Sequence, residues 1–467
     1  MWNPFTEMEE FLPYLGFGTT IITRGEGPYV YNDRGKRYIN ALSSLWNVAI
    51  GHGREELVQA ASKQMRELAY SSCFGGQAHP RAIELAAKLV QITDGRFEHV
   101  YLGSNGSEAV ETALKMARQY HRQSPDPKDH DRQKIISLRG SYHGVSYGAL
   151  STSGSERHRA KYGPLVPGFL QIEPPYCYRC PYGRDGHPGC GLECAIALEK
   201  IIQSEGPQTI AAFIMEPVMG DFGIVVPPDE FCRAVGETCH RHGLLFIADE
   251  VTTGFGRCGK LFASQDWDPR PDILCLGKAI NSGYLPLSAT LATHDIYERF
   301  EGEGNFFAHG STASGHPVCA AVGLANIDII IREKLADNAA NVGAHLISRL
   351  KELADTHSII GDVRGRGLMI GLELVKDREG KVPMDGKDIS FIGVDTAILG
   401  LAITCDAERR YLGLLPPLIT DTKLADEMVE ILDKSLDRGT TANIAQKARL
   451  AKEYASFKLG LGKEEAG

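Results

Sequence analysis

Two short apolar runs in this sequence end in side chains with chemistry to offer. Ile273-Leu274-Cys275-Leu276 leads through Gly277 to Lys278, and Leu244-Leu245-Phe246-Ile247-Ala248 leads to Asp249, 29 residues before that lysine. An amine at the end of a buried strand is shielded from water, so its pKa falls and it stays partly neutral. A neutral amine attacks carbonyls and forms Schiff bases. An acid at a neighbouring strand end is its complement for pyridoxal phosphate. The lysine holds the aldehyde, and the carboxylate keeps the pyridine nitrogen protonated. Lys278 and Asp249 are thus the candidate catalytic pair. A strand-end lysine alone would carry little; the pairing carries the reading.

The elements around them must position both groups. Apolar runs near 98–103, 134–138, 211–215, 244–248 and 272–276 are separated by helical stretches. Strand–helix alternation of this kind predicts an α/β architecture, a mostly parallel sheet covered on both faces. In such sheets ligands sit beyond the carboxyl ends of the strands, where Lys278 and Asp249 fall. Gly103-Ser104-Asn105-Gly106-Ser107-Glu108 follows the strand Val100-Tyr101-Leu102 and opens a helix with Val110, Ala113, Leu114 and Ala117 on one face. Free N–H groups at such a helix start, with glycine allowing close approach, form an anion cup. The plain alternative is an ordinary N-cap; beside the lysine–aspartate pair, Gly106 and Ser107 read as phosphate ligands. Ser141-Tyr142-His143-Gly144 follows another strand, and the Tyr142 ring could stack on a flat cofactor.

The chain divides into three parts: an N-terminal arm with part of a smaller domain (1–50), a large domain (51–325), and a smaller α+β domain ending in a peripheral helical tail (326–467). A helix is expected over 326–355, a glycine-hinged turn at 363–373, a strand near 399–404 and a second helix over 423–437. The 467 residues carry a net charge of −9, which gives no basic footprint for nucleic acid. No apolar run reaches membrane-spanning length, and Met1-Trp2-Asn3-Pro4-Phe5 does not begin a signal peptide, so the expected setting is the cytoplasm.

At this point the motifs spell a family. GSEAVETALKMAR (106–118), SYHG (141–144), MEPV (215–218), ADEVTTGFGR (248–257), LGKAINSGYLP (276–286), HGSTASGHP (309–317) and RGRGL (364–368) are specific, and together they make the chain resemble the class III aminotransferases. These are fold-type-I pyridoxal phosphate enzymes that include ω-amino acid:pyruvate transaminases. The resemblance runs from Asn3-Pro4-Phe5-Thr6 to about residue 437. It implies that Lys278 is the Schiff-base lysine and proton shuttle, and that Asp249 is the pyridine-nitrogen partner. Val251 and Tyr142 would pack on the two ring faces, with Glu216 near Asp249. Thr312 would reach the phosphate bound by a neighbouring subunit, so the implied unit is a homodimer, with pairing into tetramers left open.

The resemblance also sketches a substrate site. Leu45 and Trp46 would wall the pocket, with Phe5 nearby and Phe74 offered by the partner subunit. Such a pocket suits donors lacking an α-carboxylate, such as β-alanine, taurine or larger ω-amines, with pyruvate as the expected acceptor. Carboxylate recognition in this subfamily uses an arginine shortly before Pro-Pro-Leu; Arg409-Arg410 precede Pro416-Pro417-Leu418 at a shorter spacing, and Arg410 is the candidate. Ala313 stands where the family carries tyrosine, and Ser44 where it carries glycine, which bears on substrate range rather than on the reaction. Two other readings stay open: an aminomutase or decarboxylating transaminase on the same cofactor, and a non-catalytic binding protein that retains the fold and uses its cysteine loop as an interaction module.

Of 11 cysteines, Cys177, Cys180, Cys190 and Cys194 are clustered as C-x2-C, nine residues, C-x3-C. Four thiolates at that spacing suit structural zinc or an iron–sulfur cluster. Disulfides or reduced thiols in a Gly/Pro-rich loop are the alternatives.

Overall fold

The computed structural model describes Pro4 and residues 21–441. Phe5 and residues 442–467 of the expected tail lie outside the described residues. A seven-stranded sheet forms the centre. Its spatial order is His99–Gly103, Ser288–Ala292, Ile273–Leu276, Leu245–Asp249, Ile210–Met215, Lys134–Leu138, Phe169–Ile172. Ser288–Ala292 runs antiparallel to both of its neighbours, and the remaining pairings are parallel. Every residue of Ile210–Met215, Leu245–Asp249 and Ile273–Leu276 is buried. Continuous apolar runs of this kind fit strands covered by helices on both faces, where neither side of the pleat meets water.

One of the covering helices, Gly106–Arg122, shows how the sequence sets this up. Asn105 caps it by accepting the Glu108 N–H at 3.0 Å. Val110, Ala113, Leu114 and Ala117 recur at helical spacing and are all buried in a cluster with Ile214, Ile247 and Cys275 of the sheet.

A second sheet, antiparallel, is built from Ile360–Arg366, Met369–Asp377, Tyr411–Leu414 and Thr404–Asp406. The expected glycine-hinged turn is the tight link between its first two strands, and Gly367 takes φ +58° there. The helix expected over 326–355 is two helices, Pro317–Arg332 and Leu335–Thr356. They break at Lys334, which adopts the left-handed conformation at φ 51°. The final helix is Thr422–Thr441. The N-terminal strands Ile22–Glu26, Tyr29–Asn32 and Arg37–Asn40 form a meander, and Leu401–Ala402 adds to it in parallel beside Arg37–Asn40. Among the described residues, no helix is long and apolar enough to cross a membrane.

Candidate active site

The carboxyl ends of the parallel strands converge on one place. Asp249 ends one strand, and Lys278 follows the adjacent one after Gly277. Glu216 follows a third strand, Tyr142 stands just past a fourth, and the helix at Gly106 begins just past a fifth. The topology thus gathers five segments spread over 170 residues of sequence or more.

Lys278 is held at φ 43°, a left-handed conformation that aims its side chain out of the strand line. Its Nζ donates to Thr252 Oγ1 at 2.6 Å and lies 5.3 Å from the centroid of the Trp46 ring. Burial lowers the pKa of the amine; the charges of Asp249, Glu216 and Asp221 pull the other way. Asp249 is buried. Its Oδ2 pairs with His143 Nδ1 at 2.8 Å, and its Oδ1 accepts the Val251 N–H at 3.1 Å. Beyond Asp249, Glu216 accepts N–H bonds from Tyr142 and Gly220, both at 3.0 Å. Burial still pushes the Glu216 carboxyl up to about 7. Tyr142, largely buried, has its phenol pushed up to about 12, chiefly by desolvation.

The helix start forms the expected cup. Asn105 takes the Glu108 N–H with its side chain and the Ala109 N–H with its carbonyl. The N–H groups of Gly106 and Ser107 have no helical acceptor and remain for an anion. Ser107 Oγ accepts the Val145 N–H at 3.2 Å, which ties the cup to the loop after Tyr142. Val251 lies against two glycines: a Cβ on Gly106 would stand 2.7 Å from Val251 Cγ1, and one on Gly277 would stand 3.1 Å from it. This floor has no room for another side chain. A shielded amine, a buried carboxylate one strand away, free helix-start N–H groups and a flat apolar floor fit pyridoxal phosphate.

A profile of the family described as aminotransferase class-III matches residues 17–436. The chain is a class-III aminotransferase. It is 37% identical to an adenosylmethionine-8-amino-7-oxononanoate aminotransferase of Geobacter sulfurreducens, over 93% of this chain and 95% of the relative. It is 36% identical to a putrescine–pyruvate aminotransferase of Pseudomonas aeruginosa, over 95% of each. Among solved structures it resembles a PLP-bound amine transaminase from an uncultivated Pseudomonas species. That match has a TM-score of 0.89 at 40% identity and covers 94% of this chain and 98% of that one. The aminotransferase is therefore a fold-type-I, pyridoxal-phosphate-dependent transaminase.

Other expected residues fall in different places. Trp46 reaches the site, and its indole Nε1 donates to Thr404 Oγ1 at 2.8 Å. It sits on an irregular turn in which Ser43, Ser44 and Trp46 all have positive φ. Leu45, on the same turn, is 74% exposed. Phe74 is half-exposed and packs against Gly310, and Thr312 is exposed with its carbonyl accepting the Tyr70 hydroxyl at 2.9 Å. Within this chain neither of them joins the group around Lys278.

Arg410 also stays away. Its Nη1 donates to the Met384 carbonyl at 3.1 Å, beside the start of the helix Gly386–Ile398. Its neighbour Arg409 takes the inward position instead, with Nη2 donating to Ser155 Oγ at 2.6 Å and lying 3.0 Å from Asp221 Oδ2. Both residues lie in the turn between Thr404–Asp406 and Tyr411–Leu414, and Arg410 takes a left-handed conformation there, at φ 66°, which sends the two neighbouring side chains different ways.

Sequence reasoning passed over His143, Thr252, Asp221 and Arg157. His143 and Thr252 lie inside motifs that were recognisable; Asp221 and Arg157 carry no local signal, because only the fold brings them together.

The four clustered cysteines are unpaired, as are the other seven. Their sulfurs are not gathered as a metal would require. Among the described residues, the one set of three or more ligand atoms within 4.8 Å of one another is His357, Asp433 and Asp437. The loop is fastened by charge instead. Tyr176 and Arg179 both bond to Glu373 on the strand Met369–Asp377, and Arg364 joins the same carboxylate at 2.9 Å. Glu373 is 2% exposed at its side chain, and burial pushes its carboxyl up to about 8, while Arg179 stays partly open to water.

Proposed function

We propose that this aminotransferase moves an amino group from an ω-amino acid or a carboxylate-free amine to a 2-oxo acid, with pyruvate as acceptor, in a ping-pong cycle. The observation that carries the reading is the Trp46 wall over the Lys278 amine, next to arginines already engaged with Asp221. A donor without an α-carboxylate needs no free arginine beside the lysine. It does need an apolar wall.

Lys278 is the residue that would hold the cofactor aldehyde. Asp249, fixed by His143, would keep the pyridine nitrogen protonated. Gly106 and Ser107 would hold the phosphate, with Val251 and Tyr142 on the ring faces. When bound, pyridoxal phosphate supplies the electron sink that makes the C–H beside the donor nitrogen acidic. Once freed by the incoming amine, Lys278 has a pKa that burial lowers, which favours its neutral form. It can take that proton and return it on the opposite side of the transfer. Thr252 Oγ1, at 2.6 Å, orients the amine during its travel. Glu216 fixes the backbone at Tyr142 and Gly220 and so holds both walls. Thr312 and Phe74, exposed here, would complete the site of a second copy, and the active unit is a homodimer.

A panel of donors against pyruvate and 2-oxoglutarate tests this. It should contain β-alanine, taurine, 1,4-diaminobutane, 1-phenylethylamine and, given the relative in Geobacter, adenosylmethionine. Turnover of amines with pyruvate is expected. Activity confined to adenosylmethionine, or to α-amino acids, would refute the reading.

A further inference from the structure

Two arginines beside the site share one carboxylate. Asp221 follows Gly220, whose Cα backs directly onto the Trp46 ring: a Cβ there would stand 2.6 Å from Cζ3. Arg157 Nη2 lies 3.1 Å from Asp221 Oδ1, and Arg409 Nη2 lies 3.0 Å from Oδ2. These arginines come from distant stretches. Arg157 is in the short helix Glu156–Arg159, and Arg409 is in the turn between Thr404–Asp406 and Tyr411–Leu414. Beside Arg157, His158 meets the Tyr142 ring edge-on at 5.5 Å. The cluster therefore borders both walls of the pocket.

The two contacts on Asp221 differ. Arg157 Nη2 makes a hydrogen bond to Oδ1. Oδ2 is buried and receives no aligned hydrogen bond, although the Arg409 guanidinium is close enough to pair by charge. Arg409 spends its directed bonds elsewhere, on the carbonyls of Gly140 and Asp221 and on Ser155 Oγ. Arg157 is also held by Asp406 Oδ2 at 3.0 Å and Glu408 Oε2 at 3.4 Å.

A ping-pong transaminase must admit two ligands to one pocket. The acceptor brings a carboxylate next to its reacting carbon, and the proposed donor brings none at that position. Guanidinium groups without a counter-ion would face the second ligand as uncompensated charge, which strongly disfavours its burial. We propose that Asp221 is the resident counter-ion of Arg157 and Arg409 and the residue that sets the choice between carboxylate-free and carboxylate-bearing ligands. With a donor in place, Asp221 keeps both arginines neutralised. With an oxo acid in place, the incoming carboxylate competes for the poorly directed Arg409 contact. The proposal rests on the reading that donors lack an α-carboxylate.

Asp221→Asn in the cofactor-loaded enzyme tests it through the two half-reactions, measured separately by rapid-mixing absorbance. With 1-phenylethylamine, kcat/KM should fall about tenfold or more. With pyruvate on the aminated enzyme, KM should fall, and propionate should inhibit about tenfold more tightly, because Arg409 has lost the carboxylate it pairs with while Arg157 keeps Asp406. Asp221→Glu keeps the charge and should restore the wild-type order of preference. A merely structural role would worsen both half-reactions together, and that result would overturn the proposal; so would unchanged propionate inhibition. Wild-type enzyme that rejects every carboxylate-free amine would sink the donor reading. The propionate comparison would still decide whether Asp221 is the counter-ion. A retained visible absorbance band in each variant shows that the site is assembled.

Discussion

Gly106→Ala perturbs the cofactor floor by a single methyl group. The new Cβ would stand 2.7 Å from Val251 Cγ1, closer than real Cβ atoms come to any neighbour. Val251 cannot retreat toward Gly277, where the clearance is already small, and its N–H is tied to Asp249. Its free direction is the open site, into the volume the cofactor ring would fill. Alanine is the better helix former by up to about 1 kcal/mol, so the substitution does not weaken the helix itself. Overpacking of this kind costs about 1–3 kcal/mol. Because the escape route is the cofactor's own space, that cost falls on the loaded enzyme and hardly on the free one. Pyridoxal phosphate affinity should therefore drop roughly 5- to 150-fold. Titration of cofactor-free protein, followed by absorbance, measures the affinity, and melting of both forms separates the two states. The free form should melt near wild type, with most of the loss in the loaded form. Wild-type affinity, or a loss of stability confined to the free form, would refute the reasoning about Val251.

Lys278→Arg should keep the fold and lose the lysine-dependent visible band; a variant that transaminates at near wild-type rate would overturn the assignment of Lys278. Burial lowers the Lys278 pKa from 10.5, so the folded chain binds fewer protons than the unfolded chain in the interval below that value. Its contribution to stability therefore rises with pH across that interval. Capture of pyridoxal phosphate by cofactor-free enzyme should reach half its maximal rate below pH 10.5, and a midpoint at or above that value would contradict the burial argument. Glu373→Gln leaves Arg179 and Arg364 without their shared anion. Because Arg364 keeps Asp362 and Arg179 is partly exposed, a cost of about 1–3 kcal/mol is expected, seen as a lower melting temperature and faster proteolytic cutting between 181 and 191; an unchanged cutting rate would show that the loop is fastened by something else.

Much of the site was legible because its parts sit in contiguous motifs at strand ends. Lys278, Asp249, Gly106, Ser107, Tyr142, Glu216 and Val251 each follow an apolar run or open a helix, so local pattern and the strand-end rule find them together. Strands escaped where composition was unhelpful. Ser288–Ala292 has one large apolar residue, Leu291, among small and polar ones yet is fully buried, and Phe169–Ile172 is short and carries Gln171. The choice between Arg409 and Arg410 turned on the geometry of an irregular turn in which Arg410 has a positive φ, and no local pattern encodes that. Asp221 and Arg157 were illegible for another reason. Their meaning lies in a pairing across 64 residues that no local spacing encodes.

The strand order carries a consequence for how the chain is made. His99–Gly103, which launches the helix proposed to hold the phosphate, lies at the sheet edge, and its partner in the sheet is Ser288–Ala292. During synthesis that edge must wait for nearly 190 further residues before its partner exists. Lys278 and Asp249 are made in that interval, but the phosphate cup cannot yet be clamped beside them. Non-local pairing of this kind is slow to form and leaves strand edges exposed meanwhile. Cofactor capture should thus be among the last events of folding. The colour of the loaded enzyme would then report that the first and last strands of the sheet have found each other.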